Sequence, residues 1–234
     1  MSVRAHPDAS RSVFSGPRAR RHLTLAVTGA ALMAAVASTL HTSDSLFRLS
    51  MASAYVALLF LCVALVLGPW NVLRGRPNPV STDLRRDVGI WAAILGVVHV
   101  VVGLQVHMRG KIWLYFFYPS DQPHGVPLRH DPFGFANYAG LGATLILLLL
   151  LAISNDVSLR ALGTRRWKAL QRWNYANVSL VALHSVAYQF VEKRTLLFVV
   201  VFSVMILGVA AMQLAGVRKM LSRSDRHTAD PAST

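Results

Sequence analysis

Six long stretches of the chain are almost free of charge, and polar segments rich in arginine separate them. They run over about residues 23–40, 50–68, 87–108, 135–153, 173–191 and 195–216. Runs of roughly 18 apolar residues are long enough to cross a bilayer as helices, so the pattern predicts an all-α, polytopic membrane protein built as a six-helix bundle. The fifth stretch differs from the rest: it carries Asn174, Asn177, Ser179, His184, Ser185, Tyr188 and Gln189. Lipid offers such groups no partners, so this helix is expected to face the bundle interior or a cavity. The flanking segments 1–22 and 217–234 read as polar, disordered tails.

Two histidines lie inside these apolar stretches, and an ionisable side chain in hydrocarbon is a functional candidate. His99 lies 13 residues beyond Arg86 and His184 lies 12 beyond Arg172. At about 1.5 Å per residue both fall roughly 18–20 Å from the charged inner edge, and they can face each other if the third and fifth helices are neighbours. Low-spin haem b takes two such imidazoles from facing helices, so the pair predicts axial ligands to a haem iron. Gly89, Gly96, Gly103 and Gly110 recur every seven residues along the third helix. Gly96 and Gly103 share the face of His99; they leave a flat wall for a porphyrin, or let helices approach closely. His107, about 12 Å further out, either joins His124 or His130 in a second haem or metal site, or is an ordinary interfacial histidine. Without a cofactor, the same pair would relay protons along the polar fifth helix of a transporter, or the chain would be a membrane scaffold subunit.

Composition agrees with the membrane reading. The chain of 234 residues is 54% hydrophobic and 15% charged, with mean hydropathy +0.45, against about 25% charged residues in soluble domains. The net charge of +14 is unevenly placed. Eighteen of the 24 lysines and arginines fall in the N-terminal tail, the second and fourth connections and the C-terminal tail. The positive-inside rule then puts both termini in the cytoplasm, with the protein in the cytoplasmic (inner) membrane. Topology and attraction to anionic lipid account for the charge, and nucleic acid is not an expected partner. Arg18 to Arg21 followed by Ala35-Val-Ala37 also resembles a cleaved signal, but the run is long enough to span, and an even helix number suits the charge split. Cys62 is the single cysteine, so there is no disulfide framework. The connection at about 109–134 holds Trp113, Tyr115, Phe116, Phe117 and Tyr118, an interfacial aromatic belt. Its Arg109, Lys111 and Arg129 are expected to dock haem propionates or an acidic partner. Gly140-Leu-Gly142 lacks the strand and acidic partner of a nucleotide motif, and no segment reads as a flavin or nicotinamide domain.

The segment Ser81-Thr-Asp-Leu-Arg85-Arg86-Asp-Val-Gly89-Ile90, running into His99, resembles the start of the ferric-reductase-like transmembrane domain. The stretch Ile153-Ser154-Asn155, then Leu162-Gly-Thr-Arg165-Arg166-Trp167-Lys168-Ala-Leu-Gln171-Arg-Trp-Asn-Tyr175, then His184, resembles its inner loop and fifth helix. Within that superfamily the chain is most similar to the MsrQ/YedZ type of haem-binding membrane subunit, over about residues 50–215. The resemblance implies six helices over 23–216, b haem on His99 and His184, and electron transfer towards a periplasmic oxidoreductase. It also implies a cytosolic flavin reductase as donor. One departure bears on haem number: where the type carries a histidine at the cytoplasmic end of the fifth helix, this chain has Gln171. A single haem b near the outer face is therefore expected, with a membrane quinol as the alternative donor and ferric iron as the alternative acceptor.

Overall fold

A computed structural model describes residues 16–75, 83–108, 110–121 and 125–229, with side chains for all of these but 83 and 223–229. Arg109, His124, Ser81, Thr82 and the outermost tail residues named above lie outside this set. The described residues form seven α-helices: α1 (Gly16–Ser38), α2 (Ser45–Leu73), α3 (Asp83–Val106), α4 (Pro132–Ala152), α5 (Asp156–Gln171), α6 (Trp173–Val191) and α7 (Leu196–Ala229), with one 3₁₀ turn at Ile112–Tyr115. Five of them, α1, α2, α3, α4 and α7, are long and apolar enough to cross a membrane. The fifth predicted stretch is α6, whose polar residues keep it out of that group. Leu145, Leu183, Phe190, Val204 and Leu207 point outward, exposed, as hydrocarbon-facing side chains should.

Helix α2 is the centre of the bundle. It packs against α1, α3 and α7, while α4 packs against α6 and more lightly against α3. Leu65, Val56 and Ser53 are fully buried, and their neighbours Val88, Ala92 and Leu95 on α3 and Phe202 on α7 close the core. Helix starts follow local capping chemistry, in which a side-chain oxygen takes up a first-turn N–H. Asp44 caps α2 at Phe47, Asp131 caps α4 at Gly134, and Asn155 caps α5 at Ser158.

Helix α2 extends five residues beyond each end of the predicted stretch at 50–68, and three further segments differ from the sequence reading. Residues 16–22, read as tail, are the first turns of α1, because Arg18, Arg21 and His22 are held by Asp87 of α3. Residues after 216, also read as tail, continue α7 to Ala229. The connection at 154–172 is helix α5, kinked at Gly163, whose φ of +69° suits a residue without a Cβ. Its hydropathy is too low to register as a span, and three contacts dock it: Trp167 is buried and donates to the Ile153 carbonyl at 3.0 Å, Arg86 pairs with Asp156, and Arg18 of α1 lies 3.8 Å from the same carboxylate.

Candidate cofactor site

His99 and His184 sit at matching heights, each seven residues before the end of its helix, Val106 in α3 and Val191 in α6. Their rings face one another across the bundle, with centres 6.3 Å apart and planes at 72°. Each Nδ1 meets a main-chain carbonyl: His99 meets Ser50 of α2 at 3.0 Å, and His184 meets Ala136 of α4 at 2.8 Å. A carbonyl only accepts, so Nδ1 carries the hydrogen, and in a neutral ring Nε2 keeps its lone pair. That is the arrangement by which metal-binding imidazoles are oriented, the far nitrogen donating to a backbone oxygen.

The space between the rings tests whether a metal centre fits. An imidazole nitrogen bonds a metal at about 2 Å, so two imidazoles on opposite sides of one ion hold their ring centres roughly 6 Å apart. The observed separation fits one shared ion. Both histidines line one cavity of about 350 Å³ between α2, α3, α4 and α6, within the range of cofactor and ligand sites. Its wall is largely apolar. Gly96 and Gly103 line it on the same side as His99. They also serve close packing: a Cβ at Gly96 would meet Leu147 of α4 at 2.8 Å, and one at Gly103 would meet the Ser50 hydroxyl at 3.3 Å. The glycine that makes room for a histidine ring is Gly140 of α4, where a Cβ would fall 2.7 Å from Nδ1 of His184.

Above the pair, a hydrogen-bonded chain ties four elements together. Tyr188 donates to Asn137 at 2.8 Å, Asn137 donates to the Tyr115 carbonyl at 3.2 Å, and Tyr115 donates to the Gly103 carbonyl at 2.9 Å. Tyr188 also leans on His184, with ring centres 4.8 Å apart. Burial pushes the Tyr115 phenol above its ordinary pKa, which keeps it a donor.

His107 lines the same cavity at its mouth. Its Nδ1 lies 3.5 Å from Glu192, and its ring packs among Tyr115, Phe133 and Tyr188. Burial lowers its pKa, and Glu192 works against that. It is not brought together with His130, whose ring lies against Tyr118; among the described residues no three metal-binding groups cluster. Arg129, expected to dock a carboxylate, is taken up by Asp131 at 2.7 Å. Lys111 is exposed. At the opposite end of the bundle, Gln171 reaches only the Ser154 hydroxyl, at 3.5 Å.

Three contributors were not visible as such in the chain, the carbonyls of Ser50 and Ala136 and the clearance at Gly140; a fourth is Asn177, which the polar pattern of its stretch already turned towards the interior. The last is 1% exposed, lines the cavity two turns below His184, and has no hydrogen-bond partner for either side-chain polar atom. The seven-residue spacing of Asn177 and His184 was the available signal for a shared face. No family model matches the chain, and no solved structure matches it.

Proposed function

We propose that the chain is a b-type cytochrome of the cytoplasmic membrane, which relays electrons to an acceptor on the periplasmic side. In this reading α6 is the sixth span, both termini are cytoplasmic, and the His107 and Arg194 end of the bundle faces outward. The observation that carries it is the histidine pair: two half-buried imidazoles with ring centres 6.3 Å apart across a cavity, each with Nδ1 bonded to a carbonyl. His99 and His184 would hold haem b through Nε2, and Gly96, Gly103 and Gly140 keep the walls clear of side chains. When bound, haem supplies reversible one-electron chemistry at iron. The protein's part is to fix the ligand tautomers, exclude water and set the depth of the site.

One haem is proposed, because Gln171 and Arg86 stand at the inner end where a second ligand pair would be needed. A quinol is favoured over a cytosolic flavin reductase as donor, since a single outer haem lies far from the cytoplasm. A periplasmic oxidoreductase or ferric iron is the proposed acceptor, in keeping with the resemblance to the MsrQ/YedZ type. The test is oxidation of the dithionite-reduced protein, in vesicles of known orientation, by impermeant ferricyanide. Ferricyanide at the Arg194 end is expected to oxidise it at least tenfold faster than at the other end. Equal, slow rates from both sides would contradict the relay. A proton-relay reading has one observation in its favour, the unpartnered Asn177 in the cavity, and it requires a protein that takes up no haem.

A further inference from the structure

The cavity has two polar regions besides the histidine pair, and they differ in charge. Asn177, at the deep end, is a neutral amide. At the mouth stand Arg194 and Gln189, both on the cavity wall. Arg194 is half-buried, lies 5.0 Å above the Phe47 ring, and has no ion pair among the described residues. Burial pulls its pKa below the ordinary arginine value, while the charge of Glu192 opposes this. Glu192 is itself turned to His107. Nε2 of Gln189 is buried with no hydrogen-bond partner. A desolvated guanidinium fork and a free amide N–H on one apolar wall are complementary to a carboxylate.

Gln189 lies five residues beyond His184, about 7.5 Å along α6. A group centred on the histidine pair and carrying carboxylates on one edge can therefore set that edge against the mouth. The opposite orientation would bury carboxylates beside Asn177 with no positive charge near, which an apolar interior opposes strongly. Resting on the haem reading, we infer that Arg194 and Gln189 bind the haem propionates, so that the cofactor's charged edge faces the cavity mouth. Electrons then leave by the edge nearest the 3₁₀ turn Ile112–Tyr115, whose two end residues line the cavity, where an acceptor would dock.

The test compares uptake of haem b and of its dimethyl ester, in which both carboxylates are masked, by the full-length apoprotein in detergent. Wild type is expected to bind the free acid more tightly by on the order of tenfold to a hundredfold. Arg194→Leu is expected to lose that preference while binding the ester as wild type does, which also shows that the variant folds. A wild type that does not discriminate, or an Arg194→Leu that keeps the preference, overturns the inference and leaves the haem reading standing. If wild type binds neither form, the haem reading itself fails. Should Arg194→Leu take up neither, Gln189→Leu carries the test: a reduced preference supports the site and an unchanged one overturns it.

Discussion

At the scale of single residues, the proposed site depends on clearance as much as on its two histidines. Gly140 leaves room for the His184 ring, and a methyl there would fall 2.7 Å from Nδ1, inside any real contact distance. The ring would have to swing away and lose its bond to the Ala136 carbonyl. Gly140→Ala is therefore expected to cost about 1–3 kcal/mol and to lower haem content at least severalfold. Gly89→Ala, where a Cβ meets nothing within 4 Å, should leave both unchanged; quantifying haem in the two purified variants checks the contrast. Both histidines and their equal depth were legible from spacing to the flanking arginines. The partners of their far nitrogens were not, because a main-chain carbonyl has no signature in sequence and any residue can present one. Arg194 carries no signal in the sequence beyond its charge, since its burial depends on how the α6–α7 turn folds over Phe47.

At the scale of elements, the end of the bundle opposite the cavity mouth is held by charge. Asp87 of α3 is wholly buried and contacts Arg18 and Arg21 of α1 at 3.1 Å and His22 at 3.4 Å. Trp91 donates to the other nitrogen of His22 at 3.2 Å. Removing one member of a buried pair leaves the others uncompensated. Asp87→Asn is accordingly expected to destabilise the fold by about 3 kcal/mol and to loosen α1 before the rest, seen as faster hydrogen exchange confined to residues 16–38. Exchange that rises evenly over all helices would contradict this. A second joint links α3 to α5 through Arg86 and Asp156. The hydrogen bond from Arg86 holds the Asp156 carboxyl below its ordinary pKa of 3.8, against opposing desolvation. A depressed folded pKa contributes stability that is present above the unfolded value and is lost as pH falls through the folded one. The stability gap between wild type and Asp156→Asn should thus be constant above about pH 5 and shrink at pH values below about 4, measured by thermal unfolding in detergent. α5 was missed in the sequence because its charged residues outweigh its apolar ones, and only Trp167 and the Asn155 cap mark it as a docked helix.

At the scale of the whole molecule, hydropathy alone sufficed for the helical, multi-pass architecture, since five apolar helices of spanning length announce themselves by composition. The scarcity of charge also marked α6 at its observed bounds, Trp173–Val191, although its polar face, which lines the cavity, keeps its hydropathy below that of the other five. That polarity is also what marked it as a helix facing the bundle interior or a cavity. The proposed topology assigns the Asp87 cluster to the cytoplasm and Arg194 to the periplasm. Cysteine labelling by an impermeant reagent in a Cys62→Ala background should accordingly modify Ser120→Cys from outside intact cells and leave Ser158→Cys unmodified. The central claim is that His99 and His184 share one haem iron. The measurement that bears on it most directly is the reduced-minus-oxidised spectrum of the purified protein, with haem quantified per chain, for wild type, His99→Ala and His184→Ala. Sharp b-type bands at one haem per chain, lost in each variant, are the predicted result. A colourless wild type from haem-replete cells, or full haem retention in either variant, would contradict it.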